Sequence, residues 1–123
     1  MRIISGSLKG RSIDFIKNST TRPLKDVVKE NIFNILKHSK LINVKIENSH
    51  ILDLYSGIGS FGIECVSRGA SKVVFVEKNK NSSNILKKNI TKFSIEEKTK
   101  VLNEKIENVL NIFDNKDFDI FFL

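Results

Sequence analysis

The sequence has 123 residues, of which 40% are hydrophobic, and it carries a formal net charge of +7. It contains no apolar run near the roughly 18 residues of a membrane span, its single cysteine cannot form an internal disulfide, and its two histidines are far apart. These features predict one compact cytoplasmic domain without a membrane segment or a metal centre, in which Cys65 is a buried thiol.

Positive charge is concentrated at the N-terminal end of the chain. Residues 1–25 hold six Lys or Arg against the single acid Asp14, whereas the other 98 residues hold fifteen against thirteen. Clustered Lys and Arg favour polyanions because binding releases counterions. Charge alone leaves two alternatives open: a polyanionic partner at this end, or a solvated basic surface in a lysine-rich protein.

The first predicted elements are a hairpin and a helix. RIIS and RSIDFI are two short β-type runs around the glycine-bounded turn GSLKG, which is typical of a β-hairpin. Residues 21–38 place Pro23 in a first helical turn and predict an amphipathic helix. The expected apolar stripe of this helix consists of Leu24, Val27, Val28, Ile32, Ile35 and Leu36.

Strands and helices alternate through the rest of the chain. HILDLY, FGIECVSRG and KVVFVEKN predict a β-α-β unit. A helix is expected in NSSNILKKNITKF, a third strand in TKVLN, a short helix in IENVLNIF and a fourth strand in FDIFFL. The predicted fold class is therefore α/β with a parallel sheet, divided into an N-terminal part, residues 1–40, and a cofactor-binding part, residues 41–123.

A glycine pattern marks the candidate ligand site. Gly57, Gly59 and Gly62 form G-x-G-x-x-G directly after a predicted strand and at the start of a helix. Glycine allows a sharp turn and a close approach of the backbone to a ligand. Glu77, which closes the next strand, can accept hydrogen bonds from ribose hydroxyls. The pattern predicts a nucleoside-bearing cofactor. The alternatives are a tight turn without a ligand and, for Glu77, an acid at a helix N-terminus.

Asp53 favours one class of cofactor over another. It lies four residues before Gly57, where a carboxylate would repel the pyrophosphate of a dinucleotide. The same carboxylate suits a cationic group, such as the ammonium and sulfonium of S-adenosylmethionine. We therefore favour a methyl donor over NAD, and the alternative for Asp53 is a solvated acid at a strand end.

These residues also carry a family resemblance. DLYSGIGSFG followed by VFVEK resembles the Rossmann-like methyltransferases that use S-adenosylmethionine. RIISGSLKGR, TRP, D-x-V-x-E-x-x-F-N-I-L and SRGASKVVFVEKN make the whole chain similar to the RsmD family. The resemblance implies a Rossmann-like methyltransferase fold and S-adenosylmethionine as cofactor. It also implies methylation of a guanine N2 amine, of the position-966 type, in ribosomal RNA of the small ribosomal subunit.

The resemblance implies two sets of site residues. The cofactor-binding residues are Asp53, Tyr55, Ser56, Gly57, Gly59, Glu77, Lys78, Asn103 and Glu104. The RNA-facing residues are Arg2, Lys9, Arg11, Arg22 and Lys25.

The sequence departs from the family pattern in two places. Asn103-Glu104-Lys105 stands where the family commonly has N-x-D beside the adenine ring, and lysine cannot accept the hydrogen bond that an aspartate would. The D/N-P-P-Y/F motif that follows the fourth strand in the family does not occur in these 123 residues. In the family, this motif holds and polarises the amine of a flipped guanine. The catalytic residues are therefore unassigned.

The missing motif suggests a C-terminally truncated enzyme whose Rossmann-like sheet is incomplete in its C-terminal half. We expect weak or no methyl transfer from these residues alone. The fourth strand is expected to leave an open edge that could pair with another chain. The alternative is a non-enzymatic module that binds ribosomal RNA and keeps a vestigial cofactor pocket.

Overall fold

The computed structural model describes residues 1–15, 26–38 and 45–123. The helices are α1 (Asp26–His38), α2 (Ser60–Ser67), α3 (Lys80–Lys92) and α4 (Ile106–Val109). The strands are β1 (His50–Leu54), β2 (Lys72–Val76), β3 (Thr99–Leu102) and β4 (Ile120–Phe122). Short 3-10 turns, Glu96–Lys98 and Asn115–Asp117, lie before β3 and β4. None of the described helices is long and apolar enough to cross a membrane.

The four strands form one parallel sheet in the order β3-β2-β1-β4. This confirms the predicted α/β class. The carboxyl ends of parallel strands lie at the same edge of a sheet, so the loops after β1, β2 and β3 gather there. Strand β4 is the last strand of the sheet in the described part of the chain, where it pairs with β1. Pairing of its other side with another chain stays a prediction.

Both faces of the sheet are covered by packed side chains. On one face, Ile51 and Phe75 pack with α2, α3, Phe33 of α1 and the N-terminal segment, residues 1–15. On the other face, alternate residues of β1 and β2 pack around Val109 of α4. Strands buried on both faces read as continuous apolar runs, which is why β1 and β2 could be recognised from the sequence. Cys65 is buried in α2, as predicted.

The N-terminal segment forms a turn that is closed by one antiparallel bridge between Arg2 and Ser12. Ile3 N–H donates to the Arg11 carbonyl at 2.9 Å, and Ile3 and Ile13 are buried in the core. The predicted hairpin is therefore present as a single bridge rather than as two strands. The segment lies against helices on one face of the sheet. Some of its backbone groups therefore form hydrogen bonds with these helices rather than with each other.

The predicted apolar stripe of α1 is wrong in part. Val27, Val28 and Ile35 are exposed, whereas Lys29 and Phe33 are fully buried. The helical spacing of apolar residues does not predict that Lys29 is buried, because its burial depends on acceptors contributed by distant segments of the chain. The beginning of the predicted helix, including Pro23 and Leu24, lies outside the described residues.

Candidate functional site

The glycine loop, residues 55–59, connects β1 to α2 at the carboxyl edge of the sheet. Tyr55, Gly57 and Gly59 have φ angles of 54°, 57° and 92°. Ser56 fixes the loop to β2, because its backbone N–H and its Oγ donate to the carbonyl of the last residue of β2 at 3.0 and 3.2 Å. The loop therefore lies beside the end of β2.

Two glycines of the pattern are required by packing. A Cβ on Gly59 would lie 2.2 Å from Leu86 Cδ1, and a Cβ on Gly62 would lie 2.3 Å from Phe75 Cε1. The second contact is the close helix–strand packing that the third glycine of such patterns allows. A tight turn without a ligand would explain these two positions equally well. The assignment of a ligand therefore depends on Gly57 and its neighbours.

Glu77 holds Gly57 in place at the end of β2. One carboxylate oxygen accepts the Gly57 N–H at 2.9 Å, and the other accepts the Asn79 N–H at 2.8 Å. Asn103 supports the same point, since its amide donates to the carbonyls of Glu77 and Lys78 at 2.9 and 3.2 Å. A carboxylate oxygen accepts more than one hydrogen bond, so Glu77 keeps acceptor capacity for a ligand. It also serves the start of α3, as its alternative role predicted.

Asp53 is almost fully buried on the face of β1 that α2 covers. The pKa of its carboxyl is raised to about 8 as the net result of three causes: burial raises it most, the Gly62 N–H lowers it, and the Glu77 carboxylate raises it. Its Oδ2 has no hydrogen-bond partner among the described residues. Without a cation nearby, Asp53 is therefore mostly protonated at neutral pH, and a cation would favour its charged form.

A cavity of about 220 Å³ lies beyond the ends of β1, β2 and β3. It is lined by Tyr55, Val76, Lys78, Glu104, Lys105, Ile106 and Glu107. A more open depression of about 760 Å³ continues over Asn79, Lys80, Asn103 and Asn108. Together they bring the predicted residues Tyr55, Lys78, Asn103 and Glu104 to one surface. Lys105, the residue that departs from the family pattern, lies in both.

The predicted RNA-facing residues do not lie at one place. The turn that contains Lys9 binds the C-terminal end of α2, where Ser7 N–H donates to the Ser67 carbonyl at 2.8 Å. The glycine loop is at the opposite end of this helix. Arg11 instead contacts α3, where it donates to the Lys92 carbonyl at 3.1 Å and covers the Phe93 ring. Arg22 and Lys25 lie outside the described residues.

A buried ion-pair network joins the N-terminal segment to α1 and α2. Lys29 Nζ lies 2.9 Å from the Arg2 carbonyl, 3.3 Å from Ser60 Oγ and 3.3 Å from Glu64 Oε1. Glu64 also binds Arg68 Nε at 2.9 Å and two backbone N–H groups of the N-terminal segment at 2.8 and 3.0 Å. Our reading of the sequence missed this network. The available signal was Lys29 four residues before Phe33, on the same side of the helix.

Comparison with known proteins assigns the family. The family described as Conserved hypothetical protein 95, which is the RsmD family, matches residues 1–123. The chain belongs to this family. It is 37% identical to Ribosomal RNA small subunit methyltransferase D of Haemophilus influenzae, with 100% of this chain and 62% of that protein covered. Identity to the protein of the same name from Buchnera aphidicola subsp. Baizongia pistaciae is 36%, with 100% and 59% covered.

A solved structure from Haemophilus influenzae, HI0767, superposes on this RsmD-family chain with a TM-score of 0.71 at 34% identity. The superposition covers 98% of this chain and 61% of HI0767. The predicted Rossmann-like methyltransferase fold is thereby confirmed. The chain spans between 59% and 62% of the length of these three relatives.

Proposed function

We propose that this RsmD-family chain provides the cofactor-binding part of an S-adenosylmethionine-dependent methyltransferase that acts on a guanine N2 amine of small-subunit ribosomal RNA. The observation that carries the proposal is Glu77, which is bonded to the Gly57 N–H beside a cavity at the carboxyl edge of the sheet. Two relatives that share more than a third of its residues are named as ribosomal RNA small subunit methyltransferases.

The residues at this edge fit the chemistry of the cofactor. S-adenosylmethionine supplies an electrophilic methyl group on a sulfonium, and it also carries an ammonium, a ribose and an adenine. Asp53 Oδ2 is buried without a hydrogen-bond partner among the described residues, and a nearby cation would favour the charged form of the carboxyl, which suits the cationic end of the cofactor. The remaining acceptor capacity of Glu77 suits the two ribose hydroxyls.

The adenine would bind in the cavity. Val76 and Ile106 supply apolar lining, and Tyr55 lies beside them. Lys105 stands where the N-x-D pattern has its aspartate acceptor. Glu104 and Glu107 line the cavity and are the carboxylates there that can accept a hydrogen bond from the adenine amine. This arrangement predicts that the chain binds adenine through a different acceptor from the one that the N-x-D pattern provides.

Basic residues of the N-terminal segment would contact the RNA. Arg2, Lys9 and Arg11 are exposed and positively charged. The D/N-P-P-Y/F motif is absent from these 123 residues, so positioning of the guanine amine is a proposal for the whole protein. The chain itself supplies cofactor binding and RNA contacts.

Calorimetric titration with S-adenosylmethionine and with its demethylated product tests the cofactor assignment. Wild type is expected to bind both. Glu77→Gln keeps the size of the side chain but removes its charge, and we expect it to weaken binding by about tenfold or more, since hydrogen bonds to a charged group contribute about 1.5–3 kcal/mol each. Glu97→Gln makes the same chemical change on the 3-10 turn before β3 and serves as the matched control.

Two results would contradict the proposal. A folded wild type that binds neither compound would favour the non-enzymatic RNA-binding alternative. Equal losses in Glu77→Gln and Glu97→Gln would show that the ribose is not bound by Glu77. Circular dichroism of each variant separates these outcomes from loss of the fold.

A further inference from the structure

Helix α3 has an unusual charge distribution. From Lys78 to Ile95 the chain has five lysines and no acid, whereas residues 96–119 have seven acids against four lysines. Residues 26–123 taken together have nearly balanced charges, so their total does not reveal this contrast. The positive charge of the molecule is therefore concentrated on α3 as well as on the N-terminal segment.

The lysines of α3 occupy one exposed face. Lys80 and Lys87 are two helical turns apart and Lys88 and Lys92 are about one turn apart, so the four side chains lie in two neighbouring rows on the same side of the helix. All four are exposed. A helix of this length extends over about 20 Å. We call these four residues the lysine ridge.

The lysine ridge connects the candidate cofactor site to the N-terminal segment. At its first end, Lys80 lines the depression next to the cavity. At its other end, Lys92 Nζ donates to the Ser12 carbonyl at 2.8 Å, and Arg11 donates to the Lys92 carbonyl at 3.1 Å. The lysine ridge is therefore continuous with Arg11 of the N-terminal segment, on the same side of the sheet.

Several cations are held close together on this surface. The Arg11 guanidinium and the Lys92 ammonium lie 4.8 and 5.6 Å from the centre of the Phe93 ring. Asp14, 3.1 Å from Lys92, pairs with one of them. Neither Lys87 nor Lys88 has an ion-pair partner in the part of the chain that the structure describes. Like charges at such spacing repel one another, so a bound anion with several charges would be stabilised there.

We propose that the lysine ridge and Arg11 form an RNA-binding surface that leads from the N-terminal segment to the rim of the cofactor cavity. The inference rests on the proposed function, because RNA is chosen over other polyanions as the substrate of that same site. The occupant is a phosphate backbone, since lysines bind phosphates as point charges and the ridge offers no aromatic side chain for stacking. The ridge gives affinity rather than sequence selection.

The test measures the affinity of wild type for a fluorescently labelled fragment of ribosomal RNA at several salt concentrations. The double variant Lys87→Gln/Lys88→Gln is expected to lower affinity about three- to tenfold and to lower the slope of log affinity against log salt by about 1.4–1.8, or 0.7–0.9 per lost phosphate contact. Lys98→Gln/Lys100→Gln makes the same change in charge at β3 and the 3-10 turn before it. This control should retain the slope of wild type.

Three outcomes would overturn the inference. If wild type does not bind the RNA fragment, the proposed RNA-binding surface is wrong. Equal losses in the two double variants would indicate a general effect of net charge. Displacement of the RNA by polyglutamate of matching charge, with the same dependence on Lys87 and Lys88, would favour an acidic protein partner.

Titration of the same double variant with S-adenosylmethionine separates this inference from the proposed function. We expect unchanged cofactor affinity in Lys87→Gln/Lys88→Gln, since neither residue lines the cavity. RNA binding that depends on the ridge in a chain that does not bind the cofactor would contradict the cofactor assignment and leave the RNA surface in place. Cofactor binding by a chain whose RNA affinity does not depend on the ridge would contradict the RNA surface and leave the cofactor assignment in place.

Discussion

The network beneath the N-terminal segment and the carboxyl edge of the sheet use buried charge in opposite ways. Lys29 and Glu64 are fully buried, and each contacts several partners from separate segments. At the carboxyl edge, Asp53 Oδ2 has no hydrogen-bond partner within the described residues, and Glu77 keeps spare acceptor capacity. The first arrangement is complete and serves assembly. The second has unused hydrogen-bonding capacity within the described residues, which is what the proposed cofactor site requires.

The largest predicted effect on stability comes from changing Lys29. Lys29→Met retains much of the length of the side chain but removes the positive charge that pairs with Glu64. We expect the free energy of unfolding to fall by about 3 kcal/mol, the low end of the effect of breaking a buried pair, because Glu64 loses one cationic partner but keeps Arg68. Urea denaturation followed by circular dichroism would measure the loss. Lys37→Met, an exposed position on the same helix, should change stability by less than about 0.5 kcal/mol.

The double variant Lys29→Met/Glu64→Gln tests whether the two buried charges stabilise the fold as a pair. Its loss should be smaller than the sum of the two single losses, because neither charge is then left without the other. Additive losses would show that Lys29 and Glu64 act independently, and the N-terminal segment would then be held mainly by its apolar contacts.

A second prediction concerns the packing beneath the glycine loop. Gly62→Ala should destabilise the fold by about 1–3 kcal/mol, since the added Cβ would overlap the Phe75 ring. Helix propensity alone predicts the opposite, a gain of about 0.8–1 kcal/mol. The sign of the change in thermal denaturation therefore decides between the two effects. A more stable variant would mean that Phe75 moves aside easily and that Gly62 serves the ligand rather than the packing.

The sequence predicted the regular parts of the molecule well. β1 and β2 are apolar runs, and the glycine pattern with Glu77 marked the edge where the cavity lies. These features are local, because strand character and turn chemistry depend on neighbouring residues. The orientation of α1 was predicted wrongly in part, since Lys29 is buried by contacts with residues 27 to 35 positions away.

Two electrostatic features, the pKa of Asp53 and the lysine ridge, were also not predicted. Asp53 was expected to be a charged partner for a cation, but its pKa depends on how completely α2 covers it. The lysine ridge was not predicted because the charge balance was taken over residues 26–123 rather than along α3. The pKa of Asp53 depends on the packing of α2 on the sheet, whereas the lysines of α3 can be recognised when charges are counted along each predicted helix.

The last prediction concerns Asp53 and is a pH dependence of stability. Its folded pKa of about 8 lies far above the unfolded value of about 3.9. Between these values the folded chain holds a proton that the unfolded chain releases, so the stability from this group is full at low pH and is lost as pH rises towards 8. The contribution to the slope is at most about 1.4 kcal/mol per pH unit.

Asp53→Asn removes this dependence, because an amide does not titrate in this range. Urea denaturation of wild type and variant at several pH values between about 4 and 8 should give curves that converge near pH 4 and separate as pH rises, with the variant losing less stability. Parallel curves would mean that Asp53 is already ionised in the folded chain and has its charge compensated. The carboxyl edge would then be as complete electrostatically as the Lys29–Glu64 network, and the contrast between the two regions would disappear.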